Sequence, residues 1–297
     1  MKYIVTGAAG FIGSNLVKKL NSEGHTDIIC VDDLSKNNIQ NIQGLEYSDF
    51  ISIDDISSVF GKDVDTVFHL GAISNTRADN WKEIYQNNIT FTKQMFDRTR
   101  HRNFVFASSA SVYGDSKDTL EIPANEAPKN LYAASKLICD NWLRSQGCQY
   151  QSWRFFNVYG HRETSKLESN SSSPYTTFKQ QISKNTSIKI FEGSDKIFRD
   201  FISVDDVVEV MYRKHSDEET FVSNLGTGKP SSFNEWAKLF ASKYKAKIEL
   251  TEFPEDLKKG YQYYTCSNNS TLNTLLDYKF KTIKEWFDQY DYSTNTR

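Results

Sequence analysis

The sequence predicts an α/β fold in which a doubly wound parallel sheet is followed by a smaller C-terminal α/β part. Apolar runs of strand length alternate with helical patterns throughout the first half of the 297-residue chain, which is typical of a parallel sheet covered by helices on both faces. The first of these runs leads through a glycine-rich turn directly into a helix. No repeat and no linker-like run divides the chain, whose length suffices for one large unit or two smaller ones.

The first strand, turn and helix carry the clearest signal. Residues 3–5 are apolar and residues 14–20 have apolar side chains at helical spacing, with TGAAGFIG between them. Gly7 allows the tight turn, Gly10 lets backbone N–H groups approach a pyrophosphate at the helix N-terminus, and Gly13 lets the helix pack close to the strand. Because glycine triplets also occur in ordinary turns, the flanking strand and helix are what make dinucleotide binding the preferred interpretation.

The second strand, at residues 27–31, ends at two acids. An acid here, about 20 residues past the glycine turn, can accept hydrogen bonds from the adenosine ribose hydroxyls. Asp32 therefore favours NAD, since a carboxylate repels the 2′-phosphate of NADP. Lys36 is close enough in sequence to Asp33 to soften that repulsion, so the choice between NAD and NADP stays open at this point.

The remaining elements follow in chain order. A strand over 63–72 runs into small residues, which leave room for a ligand at its carboxyl end. We next predict a helix over about 80–100, a strand over 104–107, a serine-rich turn over 108–114, a helix over 131–146, a strand over 150–155, a surface loop over 165–174, a helix from about 203, a strand over 221–225, a helix over 233–244 and a strand over 247–251. His69, at the end of a buried strand, is interpreted as a core residue and not as a catalyst.

Tyr132 and Lys136 are the candidate chemical centre. Four residues apart, they project from one face of the predicted helix. The same spacing occurs twice more in a chain with 16 tyrosines, so the context distinguishes this pair: Tyr132 begins a helix and follows the strand-end serines Ser108 and Ser109.

The pair has a physical rationale. A tyrosine base near neutral pH needs its pKa lowered by about three units, or ~4 kcal/mol. An ammonium ~4 Å away at an effective dielectric near ~20 supplies about that much, and the positive charge of an oxidised nicotinamide would add to it. Ser109 can orient a substrate hydroxyl while Tyr132 removes its proton. The set therefore predicts oxidation of an alcohol by hydride transfer to a dinucleotide.

Composition argues against several other classes. The chain carries 36 Lys and Arg against 38 Asp and Glu, a balance that does not favour nucleic-acid binding. The four cysteines lie far apart and form no metal-ligand or redox spacing, which indicates reduced thiols and no metal. No apolar run approaches the ~20 residues of a membrane span, and glycines interrupt the N-terminal apolar stretch too early for a signal peptide. We therefore expect a cytoplasmic protein with no membrane partner.

The motifs together resemble the extended short-chain dehydrogenase/reductase family, the NAD-dependent epimerases and dehydratases. The resemblance rests on the glycine turn at 7–13, the set Ser109, Tyr132 and Lys136, and the sequence RDF at 199–201. The serine-rich turn lacks the acid pair that sugar 4,6-dehydratases of the family place there. Further segments are most similar to the heptose 6-epimerase branch of the family, namely residues 11–15, 154–160, 191–194, 224–228 and 260–262.

The resemblance implies a role for each matching residue. The implied catalytic residues are Tyr132, Lys136, Ser109 and, as a second acid/base, Lys166, for which a solvated loop lysine is an equal alternative. The implied cofactor-binding residues are Gly7, Gly10, Phe11, Ile12, Gly13, Asp32, Asp33, Lys36, Leu70, Gly71, Ala72, Asn88, Tyr132, Lys136 and Val158. The implied substrate-binding residues are Ser109, Asn157, Lys179, Phe191, Glu192, Gly193, Ser194, Arg199 and Tyr261.

The implied activity is nucleotide-sugar epimerisation, with ADP-glyceromanno-heptose 6-epimerase as the preferred assignment. One tightly bound NADP or NAD per subunit would take a hydride to form a keto-sugar and return it to the opposite face. The implied division is a Rossmann dinucleotide-binding domain at residues 1–157 plus about 203–226, and a substrate-binding domain at about 158–202 plus 227–297. A nucleotide-diphosphate sugar substrate and a homo-oligomer belong to the same expectation.

Two alternatives stay open. One is a UDP-hexose-type 4-epimerase that uses the same Ser109, Tyr132 and Lys136. The other is a non-catalytic dinucleotide-sensing module, against which the intact tyrosine–lysine pair argues. The loop between Lys166 and residue 178 is longer and more serine-rich than the family pattern, and beyond Lys36 no basic residue clearly matches those that the heptose epimerases aim at the NADP 2′-phosphate. The sugar and the choice of NAD or NADP therefore stay open as well.

Overall fold

The structure, a computed structural model, describes residues 1–36, 39–163, 172–184, 187–255 and 262–291. Its strands, in chain order, are β1 (Tyr3–Thr6), β2 (Ile28–Asp32), β3 (Asp49–Ser52), β4 (Asp63–His69), β5 (Arg100–Ser109), β6 (Gln151–Phe155), β7 (Asn157–Tyr159), β8 (Ser187–Phe191), β9 (Phe198–Arg199), β10 (Phe201–Ser203), β11 (Phe221–Leu225), β12 (Ser231–Ser232) and β13 (Lys247–Thr251). Its α-helices are α1 (Phe11–Ser22), α2 (Trp81–Ile84), α3 (Phe91–Arg98), α4 (Leu131–Arg144), α5 (Pro174–Lys184), α6 (Val204–Lys214), α7 (Phe233–Tyr244), α8 (Ser270–Leu275) and α9 (Ile283–Tyr290). A π-helical segment, Tyr85–Thr90, joins α2 to α3.

Seven strands form one parallel sheet in the order β11-β6-β5-β4-β1-β2-β3. The chain passes from β1 outward to β2 and β3 and then returns to β4 on the other side of β1. In an open parallel sheet, ligands bind outside the carboxyl ends of the strands at such a reversal. The predicted doubly wound α/β fold is confirmed.

The sheet is buried on both faces. Val5 of β1 belongs to the core that includes Met211 of α6. Its neighbour Ile4 belongs to the opposite core, with Met95 of α3 and Leu143 of α4. Successive side chains of a strand point to opposite faces, so a strand covered on both sides needs an unbroken apolar run. This is why such runs predict the strands of this sheet.

A third core forms the smaller C-terminal part. The parallel pair β8 and β13 lies with α5, α7 and α9 around an aromatic cluster. Two ring pairs in it meet edge to face, Tyr159 with Trp236 at 4.7 Å and Tyr175 with Trp286 at 4.8 Å between centroids. The predicted C-terminal α/β part is therefore confirmed. The exact division into two domains stays a prediction, and Leu272 of α8, which that division assigns to the C-terminal part, is buried in the core on the α6 side of the large sheet.

Capping residues set several helix starts. Helix α7 begins at the predicted residue because Ser232 and Glu235 form a capping box, in which each side chain pairs with the backbone of the other. Helix α6 begins where predicted because the Ser203 hydroxyl accepts a hydrogen bond of 3.0 Å from the backbone N–H of Asp206. These starts depend on neighbouring residues alone, so the sequence suffices to predict them.

Two elements differ from prediction. Strand β5 is longer than the predicted 104–107 because it begins at Arg100, and the helix before it accordingly ends at Arg98. Strand β3 was not predicted, because this short edge strand buries only Ile51 and leaves no apolar run to detect. Within the described part of the chain, no helix combines the length and apolarity that crossing a bilayer would need.

Candidate functional site

The glycine turn lies at the carboxyl end of β1. Gly7 has φ +67°, a left-handed conformation, and a Cβ there would lie 2.8 Å from the backbone nitrogen of Gly71. A Cβ on Gly13 would lie 2.0 Å from the carbonyl oxygen of Gly7, so α1 packs on the turn through bare backbone. A Cβ on Gly10 would meet only Gly7, at 3.1 Å from its oxygen. Gly10 is the residue of the three that is crowded by nothing but the turn itself while lining the cleft.

Asp32, at the end of β2, supports the same turn. Its Oδ2 accepts a hydrogen bond of 2.7 Å from the backbone N–H of Ala9, and its Oδ1 accepts one of 2.7 Å from that of Asp33. Burial raises the pKa of Asp32, while the backbone hydrogen bonds oppose the rise. Both acids line the cleft. The Asp32 carboxylate therefore holds the turn in addition to facing the place predicted for the ribose.

The loop after β4 forms another wall of the cleft. Three predicted residues line it there: Leu70, Gly71 and Ala72. Asn88, by contrast, is buried and holds this loop from behind, since its Oδ1 accepts from the N–H of Ile73 at 2.8 Å and its Nδ2 donates to the Ile73 carbonyl at 3.1 Å. The same Nδ2 lies 2.9 Å from the Ser135 hydroxyl of α4. Asn88 thus links the loop to α4 and does not itself line the cleft.

Tyr132 lies in the first turn of α4 and meets Ser109 at the end of β5. The helix starts at this point because the Asn130 side chain accepts a hydrogen bond of 2.8 Å from the backbone N–H of Ala133. The Tyr132 hydroxyl is hydrogen-bonded to Ser109, whose Oγ also accepts from the N–H of Ser111 at 3.2 Å. Burial raises the pKa of Tyr132, and the hydrogen bond with Ser109 opposes the rise.

Lys136 is on the same helix face, but its ammonium is directed elsewhere. Its Nζ donates a hydrogen bond of 2.6 Å to the carbonyl of Ala107 and lies 6.0 Å from the centroid of the Tyr132 ring. Burial lowers the pKa of Lys136 to about 8. The structure therefore corrects the electrostatic expectation: Lys136 is not among the groups that shift the pKa of Tyr132, because the ammonium is held at a backbone carbonyl beyond the ~4 Å separation assumed from the sequence.

These walls enclose one cleft of ≈ 840 Å³ along the carboxyl edge of the sheet, within the ~300–1,000 Å³ usual for ligand pockets. Asp32 and Asp33 lie toward the β3 edge of the sheet, and Ser109 and Tyr132 lie toward β6. The predicted cofactor residues that line it are Gly7, Gly10, Phe11, Ile12, Gly13, Asp32, Asp33, Leu70, Gly71, Ala72, Tyr132, Lys136 and Val158. One cleft thus brings together the glycine turn, the acids and the tyrosine–lysine pair.

Among the predicted substrate residues, Ser109 lines this cleft, and the other described ones lie in or near the C-terminal part. Arg199 is buried, with Nη1 donating to the carbonyl of Phe198 at 2.9 Å and Nη2 donating to the carbonyl of Gln262. Lys179 lies 3.2 Å from Asp291. The remaining ones are exposed Asn157 at the start of β7, Phe191 at the end of β8, and Glu192, Gly193 and buried Ser194 directly after it.

Three predicted residues fall outside the description. Lys166 and Tyr261 are not among the described residues, and for Lys36 the side chain is not described. Their predicted roles stay predictions.

The sequence analysis missed four residues that line the cleft, Ser74, Asn75, Glu83 and Asn87. A signal existed for the first two, because they directly follow the small residues at the end of a predicted strand. Glu83 and Asn87 are four residues apart on the helical segment behind that loop, where Asn87 Nδ2 donates to the Glu83 carbonyl at 2.9 Å. Among the described residues, no group of three His, Cys, Asp or Glu side chains is placed to hold a metal ion.

The fold and the cleft define a class, namely doubly wound α/β proteins with a glycine-rich first turn and a tyrosine–lysine pair at the same edge of the sheet. The sequence model of the NAD dependent epimerase/dehydratase family matches residues 3–226. The chain therefore belongs to this family, as its motifs predict.

Solved structures of similar fold include several sugar-nucleotide epimerases. ADP-L-glycero-D-manno-heptose-6-epimerase from Helicobacter pylori is 24% identical, with a TM-score of 0.83 over 97% of this chain and 95% of that chain. UDP-N-acetylglucosamine 4-epimerase from Methanobrevibacter ruminantium M1, in complex with UDP-N-acetylmuramic acid, is 23% identical, with a TM-score of 0.81 over 97% and 94%. A mutant UDP-glucuronic acid 4-epimerase from Bacillus cereus, in complex with a fluorinated UDP-glucuronic acid and NAD, is 24% identical, with a TM-score of 0.78 over 98% of both chains. At these identities the likeness establishes the fold.

Proposed function

We propose that the protein is an NAD-dependent nucleotide-sugar epimerase, with an ADP-heptose inverted at C6 as its first candidate substrate. The single observation that carries the proposal is that Tyr132, Ser109 and Lys136 line the same cleft as the glycine turn. The resemblance to heptose epimerases and the family supply the substrate class. A UDP-hexose inverted at C4 is the second candidate, favoured by the 4-epimerases of similar fold.

The turn fits a dinucleotide. Gly13 leaves no room for a side chain because of the Gly7 carbonyl, which brings the N-terminus of α1 against the cleft, and Gly10 offers bare backbone there. Backbone N–H groups at a helix N-terminus suit a diphosphate. Asp32 faces the cleft at the end of β2, where a carboxylate suits the ribose hydroxyls of NAD and opposes the 2′-phosphate of NADP. We therefore propose NAD in preference to NADP.

Each chain residue then has a stated task. A bound oxidised nicotinamide would supply a hydride acceptor and a positive charge. Ser109 orients the sugar hydroxyl, and the Tyr132 oxygen takes its proton as the carbonyl forms and returns it in the reverse direction. Lys136 anchors the end of β5 through the carbonyl of Ala107 and keeps a positive charge below pH about 8. Epimerisation also needs a proton donor on the other sugar face, and the resemblance assigns Lys166 to it.

Product analysis tests the proposal. The purified protein is incubated separately with the ADP-heptose and with UDP-glucose, and the products are resolved by NMR. Inversion at C6 supports the first candidate and inversion at C4 the second. The absence of turnover with every nucleotide sugar offered would refute the epimerase and favour a dinucleotide-sensing module.

Tyr132→Phe tests the assignment of the acid/base. Loss of the phenolic oxygen should lower kcat by about 10²–10⁴-fold, the usual worth of a positioned proton-transfer group, with NAD affinity retained. Tyr85→Phe, which removes a hydroxyl from an exposed tyrosine on another helix, is the matched control and should behave as the wild type. Near-normal turnover by Tyr132→Phe would remove Tyr132 from the mechanism. Lys166→Met should impair epimerisation selectively, and an unchanged rate would leave Lys166 as a surface lysine.

A further inference from the structure

Asp140 is a fully buried carboxylate with three side-chain hydrogen bonds. Its Oδ2 accepts from the Ser108 hydroxyl at 2.9 Å and from Nε of Arg154 at 3.0 Å, and its Oδ1 accepts from the Ser152 hydroxyl at 2.6 Å. The three partners come from the ends and interior of β5 and β6, whereas Asp140 is on α4. Glu126 also pairs with the guanidinium of Arg154. The carboxylate therefore joins one helix to two strands of the sheet.

The helix and strand that it joins carry the proposed catalytic groups. Tyr132, Lys136 and Asp140 follow one another at four-residue spacing, so they share one face of α4. Ser108 is the neighbour of Ser109 at the end of β5. A second tie between the same two elements is the hydrogen bond from Lys136 to the carbonyl of Ala107. The hydrogen bond between Tyr132 and Ser109 thus spans two elements that are fixed to each other one and two residues away.

We propose that Asp140 is a positioning residue, which fixes the face of α4 that carries Tyr132 and Lys136 against the end of β5 that carries Ser109. The inference rests on the proposed function for its catalytic meaning, while its structural part concerns the contacts themselves. Asp140 touches neither the cleft nor any group proposed to react. Its effect on turnover is therefore indirect, through Ser108 and the helix.

The charge of Asp140 has a second consequence, for Lys136. Burial lowers the pKa of Lys136 to about 8, and Asp140 and Cys139 on the same helix act against that change. His69 of β4 faces Lys136 and is kept uncharged by its burial. Arg154 of β6 is compensated by Asp140 and Glu126. Removing the Asp140 charge would leave Arg154 less compensated and Lys136 without its nearest carboxylate, so both changes lower the pKa of Lys136.

Two serines give a matched test of the geometry. Ser108→Ala and Ser152→Ala each remove one hydroxyl that donates to the same carboxylate, and both serines are buried. Only Ser108 adjoins Ser109. We expect a similar fall in melting temperature for both variants, a loss of tenfold or more in kcat for Ser108→Ala with little change in KM, and near-wild-type kcat for Ser152→Ala. Equal kcat in the two variants, or a change confined to KM for Ser108→Ala, would overturn the positioning role.

Asp140→Asn tests the charge. The alkaline limb of the kcat profile should move to lower pH by about half a unit or more. The pKa of Lys136, followed by NMR of ¹⁵N-lysine-labelled protein without substrate, should fall with it, whereas Ser108→Ala should leave this pKa in place. An unchanged lysine titration in folded Asp140→Asn would refute the electrostatic part. If Asp140→Asn does not fold, the serine pair still decides the geometry.

The design separates this inference from the proposed function. If the wild-type protein turns over no nucleotide sugar, the epimerase proposal fails, and the titration of Lys136 together with that of Tyr132 then decides the role of Asp140. Ser109 lowers the pKa of Tyr132 through their hydrogen bond. Loosening the end of β5 in Ser108→Ala should therefore raise the phenol pKa, followed by NMR of ring-labelled tyrosine, and Ser152→Ala should not. No difference between the two variants would refute the inference without reference to activity.

Discussion

The glycine turn allows a prediction whose size follows from the backbone. A Cβ at residue 13 in Gly13→Ala would lie 2.0 Å from the Gly7 carbonyl oxygen and 2.7 Å from its carbon. Neither atom can rotate away, so α1 must move by more than 1 Å to restore ordinary contact. Overpacking usually costs about 1–3 kcal/mol, and we expect the upper end because the obstacle is backbone. About 3 kcal/mol corresponds to a roughly 100-fold loss in any affinity that depends on this geometry.

Gly10→Ala separates packing from ligand approach. Its Cβ would lie 3.1 Å from the same oxygen and would meet no other residue within 4 Å, so the free protein needs only a small adjustment. The methyl group would nevertheless stand where the backbone is proposed to meet the diphosphate. We expect a melting temperature close to wild type and a dissociation constant for NAD raised tenfold or more.

The assays are thermal unfolding of the free protein and calorimetric titration with NAD. Gly24→Ala is the control for backbone strain, because Gly24 has φ +82° with nothing within 4 Å of its would-be Cβ; it should lose about 1 kcal/mol of stability and bind NAD normally. Wild-type affinity in Gly10→Ala would show that the diphosphate does not lie at this turn. Unchanged melting and affinity in Gly13→Ala would refute the packing of α1 on the turn.

Three further predictions concern the walls of the cleft and the core behind it. Asp32→Asn should shift the ratio of NAD to NADP affinity toward NADP by about tenfold, ~1.4 kcal/mol, because it removes the charge that opposes a 2′-phosphate; parallel titrations with both cofactors measure this, and a constant ratio contradicts it. Asn88→Ala should lower the free energy of unfolding by about 1–3 kcal/mol and weaken NAD binding, because both backbone groups of Ile73 lose their partner; chemical denaturation and calorimetry would expose a neutral outcome. His69 has its pKa lowered to about 3 by burial, so the unfolded chain binds more protons between pH 6.5 and 3, and stability falls as pH drops through that window, by up to about 1.4 kcal/mol per unit. His69→Gln should flatten the dependence of the urea midpoint on pH between 6.5 and 5, and an equal slope in both proteins would contradict the assignment.

The fold was predictable where local rules decide it. Helix α7 starts at Phe233 because of its own capping box, and strands buried on both faces announce themselves by unbroken apolar runs. Strand β3 escaped prediction because it is a short edge strand with one buried residue, so its pairing with β2 depends on contacts between distant parts of the chain. The same holds for the order of the seven strands.

The candidate site divides in the same way. The spacing of Tyr132 and Lys136 put both on one helix face, and the glycine turn indicated where a dinucleotide would lie. The direction of the Lys136 ammonium was not predictable, because it depends on the Ala107 carbonyl of a separate strand. Asn88 behind the loop and Asp140 behind the strand end were missed as supports for a related reason, since polar residues within a helix look alike until their buried partners are known.

By itself, the sequence determined the strand–turn–helix start, the helical spacing of the tyrosine and lysine, and the family to which the chain belongs, because these depend on residues close together in the chain. Only the tertiary structure decided which groups surround each side chain, and with them the raised pKa of Tyr132, the lowered pKa of Lys136 and the contacts of Asp140. Burial and charge act through space, so the chemical state of a buried side chain follows from distant parts of the chain that folding brings around it.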